Sequence, residues 1–122
     1  MVYTSLSLSL AVVEIFVHLE IAVEPDDLWA VAAELPIEES QAERVTLAGL
    51  PRDWREVNQP TLRAIGSAWA LSRRSLALLV PSVAVEGEWN ALVNPEHPDA
   101  NKITVLDAKP FRIDPRMFKR ER

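Results

Sequence analysis

The stretch at residues 5–20, SLSLSLAVVEIFVHLE, constrains this chain more than any other. Its first half alternates Ser and Leu like a half-buried strand. Its second half is almost wholly apolar, yet it carries Glu14 and His18. Strand parity puts Leu6, Leu8 and Leu10 on one face, but Glu14 shares that parity and Val12-Val13 breaks the alternation. On a helix, Ser7, Ala11, Glu14 and His18 follow 4-3-4 spacing and form one narrow stripe beside Leu6, Leu10, Val13 and Val17. Leu8, Ile15 and Leu19 cover another side. The spacing therefore predicts a helix buried nearly all round, capped by Thr4 or Ser5. A buried carboxylate is costly unless paired, hydrogen-bonded or protonated, so Glu14 with His18 one turn away is a functional candidate. The alternative is a structural hydrogen-bonded pair at a packing seam.

The rest of the chain reads as one domain of mixed α/β or α+β type, with no repeat or low-complexity linker in its 122 residues. Residues 27–35 suit helix or strand, bounded by Pro25 and Pro36. Residues 43–47 alternate as a strand. Asn58-Gln59-Pro60 opens a second helix, Thr61–Ser72, with Leu62, Ile65 and Trp69 inward and Arg73-Arg74 closing it. The continuous apolar run at 76–80, stopped by Pro81, predicts a buried central strand. Residues 103–106 give a late strand. The Asn-, Pro- and Asp-rich segment 90–99 reads as a fixed loop in which His97 braces a turn. Core packing is expected for most of Trp29, Trp54, Trp69 and Trp89.

Composition narrows the function. There is no cysteine, so thiolate chemistry and disulfides are excluded. The net charge is -5 and basic residues cluster only at Lys119, Arg120 and Arg122, which argues against nucleic acid as the main partner. The apolar run is interrupted by Glu14, His18 and Glu20 and lacks a basic leader, so neither a membrane span nor a signal peptide is expected, and a cytoplasmic location is. Glu14 and His18 are not HExxH and only His97 remains, so no metal site is expected. Ser82 follows the buried strand, where sites in α/β proteins often lie, but it is not in GxSxG; a turn serine is the plainer reading. None of Gly49, Gly66 and Gly87 belongs to a phosphate-binding fingerprint.

Taken in order, YTS at 3–5, LAVVEIFVHL at 10–19, IGSAW at 65–69, LLVPSV at 78–83, NALVNPEHPD at 90–99 and FRIDPRMF at 111–118 resemble the RES domain, over nearly the whole chain. The resemblance implies an α+β domain with a mixed sheet and packed helices, similar to the ADP-ribosyltransferase core. It implies the toxin of a bacterial toxin–antitoxin pair that degrades NAD by cleaving the nicotinamide–ribose bond, through hydrolysis or phosphorolysis. The alternatives are a mono-ADP-ribosyltransferase acting on a protein, or a catalytically impaired module that binds its antitoxin. NAD is then a substrate, with no cofactor, and the partner is an Xre-like helix-turn-helix antitoxin that occludes the site, with homo-oligomers inside the complex. By resemblance Glu14 is the catalytic glutamate, Ser82 the family serine that contacts the substrate, Tyr3 the tyrosine near the nicotinamide, and His18 a further substrate-binding position. The family arginine lies upstream of YTS, where this sequence has only Met1 and Val2. Residues 1–122 are thus expected to lack the family's N-terminal segment. Losing a bidentate phosphate contact lowers affinity roughly tenfold to a hundredfold, unless Arg44, Arg52 or Arg55 takes its place.

Overall fold

The opening alternation divides between two elements. Strand β1, Val2–Ser5, forms because β5, Trp89–Val93, offers it an antiparallel ladder from Val2 opposite Val93 to Ser5 opposite Asn90. The helix therefore starts later than its apolar spacing suggests. Ser7 caps it in place of Thr4 or Ser5, its hydroxyl accepting from the Leu10 amide at 3.1 Å. Helix α1 spans Leu8–Phe16 and buries Leu10 and Glu14, one turn apart. Leu8 and Ile15 are exposed, so the expected burial all round is not found. Nine residues are too few for a helix to persist alone, and packing through Leu10 and Glu14 holds it.

This computed structural model describes residues 1–19, 24–56 and 60–118. Glu20, the Asn58-Gln59 helix opening and the basic tail Lys119, Arg120 and Arg122 lie outside them. The architecture is α+β. A mixed four-stranded sheet runs β1-β5-β4-β3, with β3 at Glu43–Arg44 and β4 at Ala77–Pro81. Strand β4 pairs antiparallel with β5 and parallel with β3, so the continuous apolar run is an interior strand. Residues 27–35 resolve as strand: β2, Trp29–Glu34, makes a two-stranded ribbon with β6, Thr104–Pro110, bulged between Ala32 and Ala33. The reading of 90–99 as all loop is corrected as well. WNALV pairs on both edges as β5, and the turn-forming residues begin only at Asn94.

Helix α2 occupies Thr61–Ser72 as its spacing predicts and ends at Arg73, whose φ of 54° is left-handed. Its Trp69 is 0% exposed and packs with Val45, Leu78, Val80 and Leu92. The helix approaches β5 so closely that a Cβ on Gly66 would lie 3.0 Å from Leu92 Cδ1. The other tryptophans stay out of this core: Trp54 and Trp89 are half-buried, and Trp29 is exposed. The Trp69 indole donates to Ser75 Oγ at 2.7 Å, and Ser75 donates to Glu43 at 2.6 Å. Burial pushes the Glu43 carboxyl up, but hydrogen bonds from Arg74 and Ser75 together outweigh it and hold the group below its ordinary range. Among the described residues no helix is long and apolar enough to cross a membrane.

Candidate active site

Side chains alternate across a strand, so the ladder registers define two faces of the larger sheet. Tyr3, Leu92 and Leu78 form one row; Ser5, Asn90 and Val80 form the next, on the same face as the Trp69 core. The opposite face, with Leu79 and Ala91, looks into a cleft of about 1240 Å³ that Trp29 and Val31 also line.

Glu14 meets the second row. Ser82 Oγ donates to its Oε2 at 2.6 Å, and Asn90 Nδ2 donates to the same oxygen at 2.7 Å. No described residue donates to Oε1. Ser82 sits one residue past β4. Its amide donates to the Glu88 carbonyl at 2.8 Å and its hydroxyl accepts from the Val85 amide at 3.0 Å, which fixes the turn. Asn90, 0% exposed, also donates to the Tyr3 hydroxyl at 2.9 Å and accepts from Ser5 Oγ at 2.6 Å. Glu14 at 8% and Ser82 at 1% are buried, while Tyr3 is 56% exposed. Desolvation pushes the Tyr3 hydroxyl above its ordinary value and the Glu14 charge adds to that, against the Asn90 bond. Tyr3 is therefore a neutral phenol at neutral pH, its oxygen tied down and its ring accessible.

The structure thus brings Glu14, Ser82 and Tyr3 together. It does not bring in His18: α1 ends at Phe16, and His18 is exposed in the turn that follows. His18 lies two residues past the end of α1, and no hydrogen bond or ion pair joins it to Glu14 among the described residues. Asn90 is the residue that sequence reasoning missed. The signal was present, since Asn90 shares parity with Leu92 in a strand and is a polar side chain facing the core. His97 braces its turn, Nδ1 accepting from the Asp99 amide at 3.0 Å. Arg44 stacks on Trp89, 4.7 Å from the ring centroid, and its register partner Leu79 faces the cleft, away from Glu14. Arg55 donates to the carbonyl of Val83, next to Ser82, at 2.8 Å. Arg52 is exposed. Among the described residues no three His, Asp or Glu converge on a point that could hold a metal ion.

A buried carboxylate held on one oxygen by two neutral donors, near an accessible aromatic ring, suits a ligand that carries or develops positive charge. Comparison with known proteins gives the family. Residues 1–114 match the RES domain. The chain is 40% identical over 123 residues to the "Prs ADP-ribosylating toxin" of Sphingobium sp. (strain YBL2), covering 98% of this chain and 75% of that protein. It is 37% identical over 122 residues to "Toxin Res" of Photorhabdus laumondii, covering 97% and 76% of the two. It is 38% identical over 122 residues to "Toxin Res" of Pseudomonas putida, covering 96% and 79%. This chain belongs to the RES domain family.

Proposed function

We propose that this chain is a toxin that consumes NAD by cleaving the bond between nicotinamide and ribose, and that Glu14 is the group on which the reaction depends. The observation that carries the reading is the Glu14 carboxylate itself: buried, fixed through Oε2, and with Oε1 accepting from no described residue. As the bond breaks, its electron pair leaves with the nicotinamide nitrogen and positive charge builds on the ribose. A carboxylate already oriented in a water-poor pocket stabilises that charge without reorganising. In this reading Oε1 takes a ribose hydroxyl. Tyr3 offers a ring for nicotinamide to stack on. The Ser82 hydroxyl donates to Glu14 and accepts from the Val85 amide, so it orients the carboxylate. Water or phosphate then captures the ribosyl cation, releasing ADP-ribose or its 1-phosphate, and a proton when water is the acceptor.

A second reading has the same first half and a different acceptor. A relative is named for ADP-ribosylation, and a protein nucleophile in place of water would make this chain a mono-ADP-ribosyltransferase. Relatives named as Res toxins support an antitoxin partner, and an Xre-like protein with a segment laid over Tyr3 would close the site. Toxin incubated with NAD labelled in the adenylate and with a cell extract separates the acceptors. NAD degradation predicts label in free ADP-ribose or its phosphate. Label in protein bands instead favours the transferase, and label remaining in NAD under both conditions contradicts both.

A further inference from the structure

We infer that Asn90 is a positioning residue: its carboxamide sets the direction of the hydrogen bonds that join Ser5, Glu14 and Tyr3, so that one carboxylate oxygen is pinned and the tyrosine proton is left for the ligand. The inference rests on the proposed role of Glu14 and adds a residue that this role had not required.

Donor and acceptor chemistry fixes which way the carboxamide points. An ionised carboxylate only accepts, so the Asn90 atom 2.7 Å from Glu14 Oε2 must be the NH2 group. The carbonyl Oδ1 then faces Ser5, whose hydroxyl must donate, at 2.6 Å. The second Asn90 proton goes to the Tyr3 oxygen at 2.9 Å. A phenol oxygen that accepts from Asn90 keeps its own proton free. No described residue accepts that proton, so an acceptor on a bound ligand, such as a carboxamide or ribose oxygen, can take it. Ser5 therefore orients Asn90, and Asn90 orients both Glu14 and Tyr3. Backbone geometry locks the chain of bonds, because Ser5 and Asn90 are register partners and Val80 is opposite Asn90 on the other side. A wholly buried carboxamide with each of its groups used is suited to hold neighbours still.

The charged surroundings are simple. Tyr3 on β1 is the titratable group that meets Asn90 and Glu14, the turn after β4 contributes only the Ser82 hydroxyl, and no described Lys, Arg or His pairs with Glu14. Asn90→Asp therefore tests the polarity directly. Two carboxylates within hydrogen-bond distance cannot both hold charge in a buried site, so they share a proton. With that proton on the introduced carboxyl, the variant donates to Glu14 as Asn90 does; without it, Glu14 loses its donor and gains a repelling neighbour. Nicotinamide release by the variant is expected to fall roughly tenfold to a hundredfold in kcat at pH 8, the range for a hydrogen bond to a charged group, with KM changed much less. It should recover as pH falls and the pair takes up its proton, a rise that wild type does not show. Asn90→Ala should lose activity without that recovery. Ser5→Ala, which frees Oδ1 but touches neither Glu14 nor Tyr3, should show a smaller loss in kcat, and it serves as the deciding variant if Asn90→Asp does not fold. Wild-type activity together with an unshifted Asn90→Asp profile, or with an unchanged kcat in Ser5→Ala, overturns the positioning role. Wild type that releases no nicotinamide at any pH, with or without a protein acceptor, overturns the reading of Glu14 instead.

Discussion

Glu14→Gln is expected to lower nicotinamide release by about 10²–10³-fold, the scale found when one preorganised electrostatic group is removed from an active site. The substitution is nearly isosteric. The amide oxygen can stand where Oε2 stands and accept from both Ser82 and Asn90, so neither donor is left unpaired. The amide NH2 would then face the ligand where Oε1 now lies, presenting a donor and no charge. The stability of α1 and its packing should change little, because Leu10 still anchors the helix beside it. Cells expressing the variant should grow while cells expressing the wild type arrest. A folded, well-expressed Glu14→Gln protein that still arrests growth in full would remove Glu14 from the chemistry. Circular dichroism and a urea melt on the same preparation show whether the fold is intact.

The second large effect concerns stability. Trp69→Ala is expected to cost about 3–5 kcal/mol, the range for deleting a large aromatic side chain from a packed core. Trp69 is 0% exposed and central to the cluster with Val45, Leu78, Val80 and Leu92. Its removal also takes the indole donor from Ser75, the hydroxyl that holds Glu43 at the edge of β3. A domain of this size has about 5–15 kcal/mol in total, so the variant should be partly unfolded at 37 °C. Trp69→Phe separates the two contributions. It keeps most of the apolar volume and should lose much less than the alanine variant. Equilibrium urea denaturation of the three proteins checks both values; a loss below about 1 kcal/mol for Trp69→Ala would mean the core closes around the gap, against the packing described.

Much of the fold was legible in the sequence where one local signal had no competitor. Helix α2 has Pro60 before it, a clean inner face through Ile65 and Trp69, and a basic close, and it lies where its pattern puts it. Strand β4 is apolar at every position because β3, β5 and both faces enclose it. The opening stretch misled because two signals overlap. Ser-Leu alternation and helical spacing are both present, and which residues join which element depends on β5, whose Asn90 lies 85 residues from Ser5 in sequence. Only that partner tells Ser5 to end a strand and Ser7 to begin a helix. The same distance hid the site. Glu14 stood out because a carboxylate in an apolar run demands an explanation. Asn90 did not, because asparagine next to a run rich in Pro and Asp looks like part of a turn. His18 shares the helical stripe with Glu14 in the sequence, but it lies past the end of α1 and is exposed.

A site that breaks the nicotinamide–ribose bond must set nicotinamide free, so the deciding assay is release of free nicotinamide from NAD by the purified chain. Chromatographic quantification against a protein-free control should show nicotinamide accumulating with time and in proportion to protein, whether water, phosphate or a protein takes the ADP-ribosyl group. NAD that stays intact over the same period, with phosphate and cell extract both supplied, would mean that the Glu14 site does not cleave this bond.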